Sequence, residues 1–249
     1  MTYTATVPYT SALPNKVCLN ALNNHFLGWR WMLSPASIRS VSKKREYLLF
    51  QHGYALDNGA YSYHKRDLPF PTNAFLKCIE KFGEQADWIV LPDVIGDWNA
   101  TNDFSNEWFE QLKDINYLLI VAQNGCENNN YEDITRWLNK GCGVFIGGDD
   151  DFKYNHSQNI VDLCKKNNAL CHIGRVNSMK RATWCHNIGA FSFDGSGMAR
   201  FTNQANYMSR HVAYLHKQIS IFSQNSYILS IQNKYQIHKG IPHETITSF

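Results

Sequence analysis

Short apolar runs alternate with amphipathic stretches along this chain, the pattern of successive strand–helix units. Five runs are nearly continuous in Val, Ile, Leu, Phe and Ala, at residues 88–93, 117–123, 143–148, 170–176 and 190–194. Such runs suit strands covered on both faces, as in a parallel sheet flanked by helices. A further strand is predicted within 47–56, and 17–22 and 227–232 are weaker candidates that bring the number to eight. Between the strands the period changes. Phe75, Leu76, Ile79 and Phe82 share one helical face, as do Phe104, Trp108 and Leu112, and then Tyr131, Ile134, Trp137 and Leu138. Residues 203–222 read as one longer helix carrying Tyr207, Met208, Val212 and Leu215. Asn73, Asn130 and Ser178 stand where N-caps belong, and Gly141 where a helix stops. The expectation is an α/β fold, a single compact (β/α)8 TIM-like barrel over residues 1–249. The polar stretch after about residue 233 is expected to be poorly ordered.

Composition narrows the class without choosing a function. Hydrophobic residues at 44% supply a core, and charged residues at 18% do not suit a disordered chain. The net charge of +3 permits a phosphate-bearing partner and does not demand one. Seven scattered cysteines, with no Cys-x-x-Cys pair and no zinc spacing, read as reduced core thiols of a cytoplasmic protein. The N-terminal residues lack the pattern of a signal peptide, and no apolar run is long enough for a membrane span. No metal, cofactor or membrane is expected.

The informative residues are polar ones at the ends of the apolar runs. They are Asp57-Asn58-Gly59-Ala60-Tyr61, Asp93, Gln123-Asn124-Gly125, Gly147-Gly148-Asp149, Gly174-Arg175 and Asp194-Gly195-Ser196-Gly197. Singly, each also fits a turn or cap. In a barrel all C-terminal strand ends open on one face, so six polar terminations in series would converge there. Arg175, Ser178, Lys180 and Arg181 run into a helix N-terminus that suits a phosphate, and Arg200 adds a cation further on. Trp29 and Trp31 either belong to the core or line a base-stacking surface.

This ordered set resembles the tRNA-guanine transglycosylase superfamily, and in particular its DNA-modifying 7-deazaguanine transglycosylases. The resemblance spans roughly 54–200 and rests on short motifs in order. It implies Asp57 as general acid/base, Asp194 in Phe193-Asp194 as nucleophile, and Asp93, Gln123, Gly147 and Gly148 as groups reading a guanine edge. Arg175, Ser178, Lys180, Arg181 and Arg200 would hold nucleic-acid phosphates. Asn58 and Ala60 replace the family's usual Ser and Gly. The zinc-binding cysteine set of the tRNA enzymes has no counterpart, since no cysteine follows Cys185. The resemblance therefore favours DNA over tRNA as the polymer, with a 7-deazaguanine as incoming base and a possible helper protein to open a duplex.

The chemistry is consistent with two carboxylates. Base exchange at C1′ passes through an oxocarbenium-like state, with one carboxylate attacking and another group moving protons. Alternatives of the same geometry are a guanine N-glycosidase and a tRNA-guanine transglycosylase. A non-catalytic nucleotide-binding barrel and a barrel acting on a small phosphorylated metabolite are readings of other classes.

Overall fold

The computed structural model describes residues 6–220, which form a closed barrel of eight parallel strands in the order β1 to β8. The strands are β1 (Val7–Thr10), β2 (Arg30–Leu33), β3 (Tyr54–Leu56), β4 (Ile89–Val90), β5 (Leu118–Ala122), β6 (Gly143–Ile146), β7 (Cys171–Ile173) and β8 (Ser192–Gly195). Closure is made by β1 against β8, with Tyr9 opposite Asp194. The helices used below are α1 (Lys16–Asn23), α2 (Glu46–His52), α3 (Ala60–His64), α4 (Thr72–Phe82), α5 (Trp98–Leu112), α6 (Glu132–Asn139), α7 (Asp150–Lys166), α8 (Met179–Ile188), α9 (Gly197–Arg200) and α10 (Thr202–Ser220). No helix among the described residues is long and apolar enough to cross a membrane. The seven cysteines are buried free thiols.

The barrel comes from different strands than the pattern suggests at its start. Residues 17–22 are helical, not extended: Asn15 caps α1 by accepting the Cys18 N–H at 2.9 Å, and Cys18, Ala21 and Leu22 are buried at helical spacing. The expected strand within 47–56 is mostly α2, ended by Gly53 at φ 80°, and only Tyr54–Leu56 is extended. The two strands that complete the barrel, β1 and β2, are four residues each, and β1 contains a proline. Neither lies in a long apolar run: β1 contains Pro8, and β2 opens on Arg30. The expected strand at 227–232, the end of the long helix beyond residue 220 and the polar tail lie outside the described residues.

Helix signals fare unevenly. Ser178 is the N-cap of α8, accepting from Arg181 N–H, and Gly141 follows α6 at φ 88°. Asn73 instead lies inside the first turn of α4, with Pro71 at the cap. Asn130 precedes the actual cap Tyr131, and both residues take left-handed φ. Trp29 and Trp31 are not a stacking surface. Both are fully buried, their indole N–H groups bound to Ser209 Oγ and to the Leu48 carbonyl.

The strand period positions the site. Tyr9, Met32, Ala55, Trp88, Val90, Leu119 and Val121 are buried together inside the barrel, with Phe145 packed on them. Their neighbours Leu33, Leu56, Ile89, Ile120 and Ile146 join the separate core between strands and helices. At the N-terminal end, Tyr9 donates its hydroxyl to Asp87 at 2.8 Å, and Arg30 forms an ion pair with the same carboxylate. That polar plug closes the bottom. Two residues beyond each inward position, at the C-terminal end, the period places Ser11, Asp57, Gln123, Gly147, Gly174 and Asp194 on the inner wall.

Candidate active site

Asp194 is the most completely held of these groups. It is 3% exposed. Its Oδ1 accepts from His172 Nε2 at 3.1 Å and from the Arg175 backbone N–H at 3.3 Å, and its Oδ2 accepts from the Ser11 hydroxyl. His172 lies wholly inside the barrel, stacked on Phe145 with ring centroids 4.8 Å apart and flanked by Tyr9 and Trp88. Burial pushes its pKa down, against the pull of Asp194, so it stands neutral at neutral pH. The neutral ring donates Nε2–H to Asp194 and accepts the Ser192 hydroxyl at Nδ1, 2.8 Å away. Ser192 is fully buried below it, so this Ser–His–Asp chain orients Asp194 and offers no accessible serine nucleophile.

Asp57 is half-buried, and its pKa is pushed up to about 7. Burial is the largest cause, followed by the negative charges of Asp194 and Asp93. Hydrogen bonds from the Gly59 and Asn58 backbone N–H groups offset part of the rise. The three carboxylates therefore share one electrostatic environment at the barrel mouth. Gly59 adopts φ 83° and faces Pro35, with only 3.0 Å left for a Cβ, which lets the chain turn from β3 into α3 directly beneath Asp57.

Asp93 is 7% exposed and bound through both oxygens. Asn58 Nδ2 donates to Oδ1 at 2.7 Å, and Gln123 Nε2 donates to Oδ2 at 2.6 Å. Burial raises its pKa to about 6 in spite of these bonds. Gln123 is a hub: its Oε1 accepts from the Gly148 N–H at 2.9 Å and the Gly96 N–H at 3.2 Å. Gly147 N–H donates to the Ala122 carbonyl at 2.9 Å. The two backbone donors at Gly147 and Gly148 are thus engaged within the protein. Asp93 also accepts from its own backbone N–H, and Gln123 has one amide hydrogen beyond the one it gives Asp93.

Arg175 crosses the mouth. It is held at φ 63°, its guanidinium donates to the Gly148 carbonyl, and it lies 5.2 Å from the Tyr61 ring centroid. Phe145, half-buried on the inner wall, forms part of the floor, and Gly174 leaves room for it: a Cβ there would meet Phe145 Cζ at 2.7 Å. The remaining expected cations are set back from this centre. Ser178 and Lys180 are exposed at the start of α8, Arg181 is paired with Asp150, and Arg200 is exposed on α9. Asp149 caps α7 by accepting the Phe152 N–H at 2.8 Å, a structural duty for the first of the three aspartates.

Three contributors were not foreseen. Ser11 comes from a strand the sequence pattern hides. His172, in the middle of β7, is the buried support of Asp194. Lys153, on the first turn of α7, is 4% exposed and donates to the Gly174 carbonyl at 2.8 Å. A lysine in a charged Asp-Asp-Phe-Lys stretch reads as solvated until the strand–helix packing is known. Asn58, by contrast, has a visible role: its amide reaches both Asp93 and the Leu91 carbonyl. Comparisons with protein-family models and with curated proteins gave no match to this chain.

Proposed function

We propose that this protein is a base-exchange transglycosylase that replaces guanine in a nucleic acid, DNA in preference, with a 7-deazaguanine base. The observation that carries the reading is the pairing at one barrel mouth of a proton-bearing carboxyl, Asp57, with a carboxylate held by three donors, Asp194. An acid that keeps its proton to about pH 7, beside a second carboxylate fixed in place by hydrogen bonds, is what acid-assisted nucleophilic displacement at a sugar carbon requires. In the first half-reaction Asp194 attacks C1′, the C1′–N9 bond breaks, and Asp57 gives its proton to the departing base. In the second, Asp57 takes a proton from the incoming base, whose nitrogen attacks C1′ and releases Asp194. The carboxylate of Asp93 suits the N1–H and N2–H donors of guanine, and the Asn58–Asp93–Gln123 bonds fix its orientation before a base arrives. Arg175 and the cations at the start of α8 provide positive charge for the phosphates beside an extruded nucleotide.

The test is incubation with guanine-containing DNA, tRNA and labelled guanine or 7-cyano-7-deazaguanine. Label should enter the polymer with wild-type protein and not with Asp194→Asn, which should still bind base. Release of free base without incorporation would assign hydrolysis by the same carboxylates, and full exchange by Asp194→Asn would remove the mechanism.

A further inference from the structure

Lys153 is unusual in where its ammonium goes. Among the described residues it forms no ion pair within 4 Å; its one hydrogen bond is to the Gly174 carbonyl, at 2.8 Å. That carbonyl and the Arg175 N–H belong to the same peptide group, and the Arg175 N–H donates to Asp194 Oδ1 at 3.3 Å. A trans peptide places its oxygen and hydrogen on opposite edges of one plane. The ammonium and the carboxylate thus lie on either side of a single amide. A cation on the oxygen of an amide polarises it and makes its N–H a stronger donor. The backbone here is constrained: Arg175 holds φ 63°, a region disfavoured for a residue with a Cβ, and the Val176 N–H is bound to the Asp194 carbonyl at 2.6 Å.

We propose that Lys153 is a positioning residue that acts on Asp194 through the Gly174–Arg175 peptide. Its ammonium pins the left-handed turn at the end of β7 and strengthens the one backbone donor that the turn presents to the carboxylate. Lys153 never has to touch substrate to do this. The charged and titratable groups around it are Asp150 on its own helix, Arg175 in the turn, Arg181 and Cys185 on α8, and His172 and Asp194 inside the barrel. Burial and Arg175 lower the Lys153 pKa to about 7, while Asp194 and Asp150 oppose the change, so the ammonium is lost within an accessible pH range.

That titration makes the relay observable without turnover. In an NMR pH titration of wild-type protein, the Arg175 amide proton should move upfield in a step whose midpoint matches that of Lys153, followed at its Cε–Nζ group. In Lys153→Arg the amide should stay at its low-pH position with no step. In Lys153→Met the step should vanish. An Arg175 amide that does not follow Lys153 in wild type would overturn the proposal. So would a step that persists in Lys153→Arg, which would belong to Asp57. The wild-type titration decides even where a variant fails to fold. Neither readout depends on the transglycosylase reading.

Discussion

Asp57 and Asp194 are the same residue type at equivalent strand ends, and their surroundings differ. Asp194 accepts from an imidazole N–H, a backbone N–H and a hydroxyl. Asp57 is partly buried and faces two other carboxylates, so its proton stays on until about pH 7. The consequence for stability has a definite sign. The folded pKa lies above the unfolded value of 3.8, so as pH rises from about 4 to 7 the unfolded chain gives up this proton before the folded one. The contribution of Asp57 is then fully favourable below pH 4 and lost as pH passes 7. Asp57→Asn should therefore stabilise the protein by about 2 kcal/mol at pH 8 and leave stability nearly unchanged at pH 4, while abolishing exchange. Thermal melts at the two pH values check this, and an equal change at both would refute it. The same group should give wild-type kcat/KM a falling limb near pH 7, since base departure needs the proton on Asp57.

At the scale of elements, the site depends on one side chain that joins three strand-end loops. Gln123 leaves β5 and binds Asp93 and Gly96 beyond β4 and Gly148 beyond β6. Its isosteric loss in Gln123→Leu would leave a buried carboxylate oxygen and two backbone N–H groups without their partner. A destabilisation of about 3 kcal/mol is expected, measured by denaturant unfolding. Base affinity should fall with it, because Asp93 loses the donor that fixes its plane. A loss below about 0.5 kcal/mol would show that water replaces the amide and that Gln123 does not organise the mouth. The sequence pattern identified Gln123 as a strand-end residue because Leu118–Ala122 is an uninterrupted apolar run. Its partners were legible only as neighbours in a barrel. Lys153 and His172 were not legible at all, because each owes its role to burial by elements distant in sequence.

For the molecule as a whole, the closed eight-stranded barrel follows from the apolar periodicity over its second half, where five long runs correspond to β4 to β8. The first half was harder to read for a physical reason. β1 and β2 are short and carry Pro8 and Arg30, while α1 and α2 place apolar residues in runs that imitate strands. Closure of β1 on β8 is nonetheless what brings Ser11 to Asp194. Convergence of Asp57, Gln123 and Asp194 on one rim needed no more than the barrel and the period of two, whereas Asp93 departs from that period and is turned inward by its bonds to Asn58 and Gln123. The pinning of each one by its neighbours needed the structure. The proposed exchange requires Asp194 to form a covalent link to the sugar, and peptide mapping by mass spectrometry after acid quench of the protein with a guanine-containing oligonucleotide tests for that link. A nucleotide adduct should be found on the peptide bearing Asp194 and be lost in Asp194→Asn. Exchange that proceeds with the adduct on another residue, or undiminished in Asp194→Asn, would contradict it.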